Sequence, residues 1–112
     1  MKAGDIYLVE IPGSGGHEQK GIRPAVIVQI GENIDRTPTV LVVPFTTKIK
    51  ASSFPFTFVV EPDSINNLSS TSVALVFQLR AIDKKRIKDK VGNLNIEDIK
   101  TLKQILKNIM EL

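Results

Sequence analysis

Residues 24–45, PAVIVQIGENIDRTPTVLVVPF, hold two apolar runs separated by a polar turn, and their period decides the fold. Pro24 to Ile30 is apolar at successive positions, the pattern of a central strand covered on both faces. Thr39 to Phe45 repeats that pattern. Pro44 predicts that regular pairing ends there, because proline gives a ladder no N–H. Gly31 to Pro38 between them carries turn chemistry in Asn33, Asp35 and Pro38. Working outward, Asp5 to Ile11 reads as a strand, followed by a Gly-rich stretch from Pro12 to Gly21. Downstream, Phe56, Phe58 and Val60 alternate with Thr57, Val59 and Glu61, and Pro62 to Ser70 reads as a loop. Ser72 to Ile82 alternates again as one strand, and Ile87 to Val91 adds a short last one. The period then changes: Ile96, Ile99, Leu102, Ile105, Leu106 and Ile109 fall on one helix face. Asn95 is the expected cap of that helix, with Glu97 and Asp98 in the first turn, where the helix dipole favours negative charge. Five or six short strands before one amphipathic helix imply an α+β domain. The expected form is a small, strongly bent antiparallel barrel with the helix packed on it.

At 112 residues the chain makes a single domain, 1–112. Hydrophobic residues at 42% and charged residues at 24% are ordinary for a globular domain. The absence of Cys removes disulfides, iron–sulfur clusters and thiolate zinc sites, and fits a reducing cytoplasm. The N-terminal segment has no apolar core of the secretory kind, and no apolar run approaches the ~20 residues of a membrane span. Fifteen basic residues against twelve acidic ones give +3, compatible with a polyanionic partner. Lys84, Lys85, Arg86, Lys88 and Lys90 cluster in one stretch, readable as a solvated turn and strand face or as a phosphate-facing patch.

One His and no Cys leave no expected metal site and no cofactor. The Gly-rich stretch Gly13-Ser14-Gly15-Gly16 is neither a dinucleotide fingerprint nor a phosphate loop, since no Gly-Lys-Ser or Gly-Lys-Thr follows it. His17, Glu18, Gln19, Lys20 and Arg23 place a titrating base, a carboxylate, an amide and two cations within eight residues of chain. Pro24 limits Arg23 to extended backbone. A guanidinium held there can fork onto a phosphate, or serve in a structural ion pair with Glu18 or a neighbouring carboxylate. Thr46, Thr47 and Lys48 set two hydroxyls and an ammonium at the end of the third strand, where they can position a phosphate or simply terminate the strand. Gln78 is polar in an apolar run and either bonds to backbone or reads a base edge.

Taken in order, these segments resemble the PemK/MazF toxin family. Gly4-Asp5-Ile6-Tyr7-Leu8 resembles its first strand, and Gly16-His17-Glu18-Gln19-Lys20-Gly21-Ile22-Arg23-Pro24 its most specific motif. Pro44-Phe45-Thr46-Thr47 is similar to the end of its third strand, and Ser72-Val73-Ala74-Leu75 with Gln78 and Arg80 to Asp83 to a later one. The resemblance runs along essentially the whole chain. It implies an SH3-like barrel of the CcdB/PemK type that forms a homodimer and cleaves single-stranded RNA without metal. The products would carry 2′,3′-cyclic phosphate and 5′-hydroxyl ends. It also implies a cognate antitoxin whose flexible, largely acidic segment blocks the RNA groove. Carried over by motif, Arg23 and Thr46 act at the scissile phosphate, while His17 or Glu18 transfers protons. Gln19, Lys20, Thr47, Lys48 and Gln78 become RNA contacts.

The chain departs from the family at one place. Many members carry an acid just before the strand Gln, and a branch adds an Arg two residues earlier. Phe77 and Leu75 stand there, on the apolar side of the alternation, and are expected in the core. The departure shifts weight onto Arg23 and Thr46. It also keeps open a non-enzymatic toxin on the same fold that binds a protein such as DNA gyrase.

Overall fold

The computed structural model describes residues 1–12, 21–29 and 32–112, with backbone alone for 32 and 33. Its strands are β1 (Asp5–Ile11), β2 (Gly21–Ile27), β3 (Thr39–Thr46), β4 (Thr57–Val60), β5 (Ser72–Leu75), β6 (Arg80–Asp83) and β7 (Ile87–Asn93), followed by helix α1 (Ile96–Met110). All pairings are antiparallel and make one seven-stranded sheet in the order β4-β5-β3-β2-β1-β7, with β6 on β3. The architecture is α+β as expected, although the path ends in two edges, β4 and β7, and does not close.

Alternation on the central strands builds two cores. Val43 and Phe45 of β3, with Val26 and Ile6, join the cluster beneath α1, whereas Val40 and Val42, with Ala25, Ile27, Val9 and Ile11, fill the second. Successive residues therefore enter opposite cores, which is why both runs read as continuously apolar.

Pro44 pairs with Ala25 of β2, so pairing does not stop at it on that side. The change occurs on the other edge of β3, where β6 meets Thr39 to Val42 and β5 meets Phe45 and Thr46. The expected single strand from Ser72 to Ile82 is broken here by a 3-10 turn over Val76–Gln78. Residues along β5 and β6 advance three further than those on β3 across this gap, the length of that turn. Proline, which lacks a donor, thus faces the interruption in the ladder.

The helix forms as its spacing predicts. The Asn95 side chain accepts the N–H of Asp98 at 2.8 Å, satisfying one of the first-turn donors. Leu102 is buried, and Ile99, Ile105, Leu106 and Ile109 pack on the cluster that contains Ile6 and Phe45.

Residues 61–71 fold around a single side chain. Asn66 is fully buried; its Oδ1 accepts the N–H groups of Asp63 and Leu68, and its Nδ2 donates to the Glu61 carbonyl. Asp63 Oδ1 accepts the N–H groups of Ile65 (2.8 Å) and Asn66 (2.7 Å), and its Oδ2 accepts from Asn95 Nδ2 at 2.9 Å. A buried amide with three such bonds fixes one loop conformation. Asn67 follows in the left-handed region at φ 54°, where Asn is tolerated better than most residues. The loop closes against Gly92 of β7, where an added Cβ would lie 2.5 Å from the Ile65 carbonyl oxygen and 2.6 Å from that of Asn66.

Two outcomes are expected. Gly92→Ala should lower the unfolding free energy by about 1–3 kcal/mol, as overpacking does, seen as an earlier urea midpoint at unchanged m-value. The backbone N–H of Asn66 above all, then Asn95, holds the Asp63 carboxyl below its ordinary value. That stabilisation is therefore present above the unfolded pKa and is lost as pH falls through the lowered folded pKa. Asp98 has the opposite sign: burial first, then the charge of Asp63, raises it, so its contribution is lost as pH rises through the raised value. Asp63→Asn should unfold more easily than wild type at neutral pH, yet lose less further stability on acidification below about pH 4. Parallel urea midpoints for the two proteins across that range would contradict the assignment.

Candidate functional site

A cleft of about 210 Å³ opens between the start of β2, the end of β3, β1, β7 and the loop before β5. Its apolar lining is Leu8, Pro24, Phe45, Leu68 and Val91. Its polar lining is Arg23, Thr46, Thr47, Asn67, Ser69, Ser70 and Ser72. Each arrives by a defined route. Arg23 lies within β2, paired with Val9 of β1, and not just before the strand as the spacing suggested. Pairing of β2 with β3 begins only at Ala25, so Pro24 has a strand neighbour on one side, a position proline tolerates. Gly21, at φ 90° and in open space, begins the strand in a conformation that suits glycine alone.

Thr46 is the last residue of β3 and lines the cleft although only 2% of its surface reaches solvent. Its Oγ1 accepts the backbone N–H of Lys48 at 3.2 Å. That bond occupies a lone pair and leaves the hydroxyl proton for a partner in the cleft. The cleft can therefore offer a guanidinium and an oriented hydroxyl to one anionic group, while a low-dielectric floor around Phe45 strengthens both.

The sequence-predicted residues divide into three groups. Arg23, Thr46 and Thr47 come together in the cleft. Lys48 is exposed just beyond it, and Gln78 sits part-buried in the 3-10 turn after β5; neither belongs to the lining. His17, Glu18, Gln19 and Lys20 lie outside the described residues. Of the two departures, Leu75 is core as expected, but Phe77 is not: it is 41% exposed and packs edge-on against Phe54 with centroids 5.7 Å apart. The 3-10 turn lifts it off the alternation that made it read as buried. Asn67, Ser69 and Ser70 were not anticipated, because a polar loop carries no period to mark which side chains converge.

Three of the five clustered cations make contacts within the fold. Arg86 pairs with Glu10 at 3.0 Å, Lys90 lies 3.6 Å from the buried Asp5 carboxylate, and Lys84 Nζ donates to the Ile34 carbonyl. None of them lines the cleft. Among the described residues no group of three or more His, Asp or Glu is gathered as a metal would need.

Comparison with known proteins follows this geometry. The family described as PemK-like, MazF-like toxin of type II toxin–antitoxin system matches residues 2–110. The chain is 38% identical over 100 residues to the endoribonuclease MazF of Staphylococcus saprophyticus, spanning 89% of this chain and 82% of that protein. The crystal structure of MazF from Deinococcus radiodurans superposes with a TM-score of 0.82 at 21% identity, covering 100% of this chain and 97% of that one. An endoribonuclease from Mycobacterial species in complex with its cognate antitoxin gives 0.78 at 18% identity, covering 100% and 96%. With a family match along nearly its whole length and a fold shared with these structures, the chain belongs to the PemK-like, MazF-like toxins of type II toxin–antitoxin systems.

Proposed function

We propose that this chain, a MazF-like toxin endoribonuclease of a toxin–antitoxin system, cuts single-stranded mRNA at selected sequences without a metal ion, in the cytoplasm. The observation that carries the reading is the meeting of Arg23 and Thr46 in one cleft. The ribose 2′-oxygen attacks the adjacent phosphorus, forming a 2′-O–P bond as the P–O5′ bond breaks. The products are a 2′,3′-cyclic phosphate and a 5′-hydroxyl. Arg23 stabilises the equatorial oxygens of the phosphorane, and Thr46 donates its hydroxyl proton to the same group. His17 or Glu18 takes the 2′-hydroxyl proton, and a proton passes to the leaving 5′-oxygen; the ordinary pKa of His, near 6.5, suits this exchange at neutral pH. Gln19, Lys20, Thr47, Lys48 and Gln78 hold the flanking strand.

Two partners follow from the same reading. A cognate antitoxin with an acidic segment fits a chain of net charge +3 whose cleft presents Arg23. A second copy of the chain fits the apolar surface around edge strand β4, where Phe54, Phe56, Val59 and Phe77 are all exposed. That surface is also the one feature favouring the alternative, a non-enzymatic toxin that docks on a protein such as DNA gyrase.

Long single-stranded RNA incubated with the protein in EDTA should yield discrete fragments with 5′-hydroxyl ends. Arg23→Ala should slow the cleavage about 100- to 1,000-fold, the usual loss for one preorganised donor, and Thr46→Ala should slow it as well. Intact RNA from a folded wild type would sink the nuclease and leave the protein-docking reading. For the dimer, sedimentation should show wild type at twice the chain mass of 12.4 kDa, and the double variant Phe54→Ser, Phe77→Ser shifted towards the monomer. A double variant that stays dimeric would place the interface elsewhere.

A further inference from the structure

Between Asp63 and Arg80 the chain carries no charged residue, and from this neutral stretch Asn67, Leu68, Ser69, Ser70 and Ser72 enter the cleft. The cleft is therefore asymmetric in chemistry. Arg23 supplies positive charge for a phosphate, whereas the loop offers an amide and hydroxyls, which donate and accept without charge. Neutral groups of this type discriminate among hydrogen-bonding edges, and phosphate contacts do not.

The loop is also built before any ligand arrives. Leu68 N–H is held by the buried Asn66 side chain, and Asn67 Nδ2 donates to the Val91 carbonyl at 3.0 Å. The Ser72 hydroxyl donates to the Ser70 carbonyl at 3.0 Å. Ser69 and Ser70 nonetheless remain exposed. A segment pinned at both ends, with its small hydroxyls left at the surface, binds with little ordering cost.

We propose that Ser69 and Ser70, with Asn67, form a subsite that reads the base edge of an unpaired nucleotide flanking the phosphate held by Arg23 and Thr46. The inference rests on the ribonuclease reading and assigns part of its sequence selectivity to this loop.

The test maps cleavage positions on a long RNA, and measures KM and kcat on an oligonucleotide cut by wild type, for wild type and for Ser69→Ala, Ser70→Ala. Both serines are exposed, so the double variant keeps the fold, which a urea midpoint verifies. The expected result is continued cleavage with a relaxed base preference at a flanking position. KM on the original oligonucleotide should rise about five- to a hundredfold, the range for lost base-edge contacts, while kcat stays within about twofold. A 2′-deoxy substitution at the flanking nucleotide, which on the 5′ side removes the attacking hydroxyl and is therefore read as Kd, should leave the affinity ratio of wild type to variant unchanged; if it abolishes the ratio, the loop reads ribose and the base-edge assignment is overturned. An unchanged preference and KM overturn the subsite while leaving the nuclease intact. RNA left uncut by wild type itself removes the nuclease reading, and the subsite with it.

Discussion

Strand β3 must satisfy three neighbours at once. It has β2 along one edge and, along the other, β6 and then β5. It also sends alternate side chains into two separate cores, so no residue from Val40 to Phe45 except Leu41 is left outside. Such a strand cannot slip by one position without exchanging its two apolar sets. The change of partner at Pro44 is what lets one strand serve both β5 and β6. The three residues looped out opposite it place Phe77 at the surface and Gln78 beside it.

The position of the cleft follows from that arrangement. Thr46 stands at the end of β3, beyond the last pairing with β2, and Arg23 lies in β2 before its pairing with β3 begins. Divergence of two central strands leaves a gap that no strand fills, and the loop centred on Asn66 closes it from a third side. Three of the fifteen cations, Arg86, Lys90 and Lys84, are meanwhile held elsewhere, by Glu10, Asp5 and the Ile34 carbonyl. One guanidinium in a confined apolar setting matters more than several solvated ammonium groups.

The fold was legible where hydrophobic period is undisturbed. The limits of β1, the start of β3 and the capped helix all followed from spacing and from Asn95. The stretch from Ser72 to Ile82 misled because its alternation continues unbroken through Val76–Gln78, and a 3-10 excursion leaves the pattern of apolar letters intact. The break lies opposite a proline some thirty residues earlier in the chain, across the sheet. Part of the site was legible for a related reason. Arg23 before a proline and Thr46 at a strand end are marked by their neighbours. Asn67, Ser69 and Ser70 are marked only by the hydrogen bonds of Asn66 and Asp63, which join residues whose proximity the linear order does not disclose.

The open ends of the sheet differ in character. At β7 the exposed residues are Lys88, Asp89, Lys90 and Asn93, the Asn93 N–H already bonded to the Ile65 carbonyl, and charge along the rest of the edge repels a further strand. At β4 the exposed residue is Val59, with Phe54, Phe56 and Phe77 nearby. Association through that end would be self-limiting: two β4 ends meeting about a twofold axis leave only charged edges outward. A head-to-tail contact from β4 to β7, the kind that propagates into filaments, would set apolar aromatics against lysines. The unequal edges therefore oppose growth of the sheet from one copy to the next.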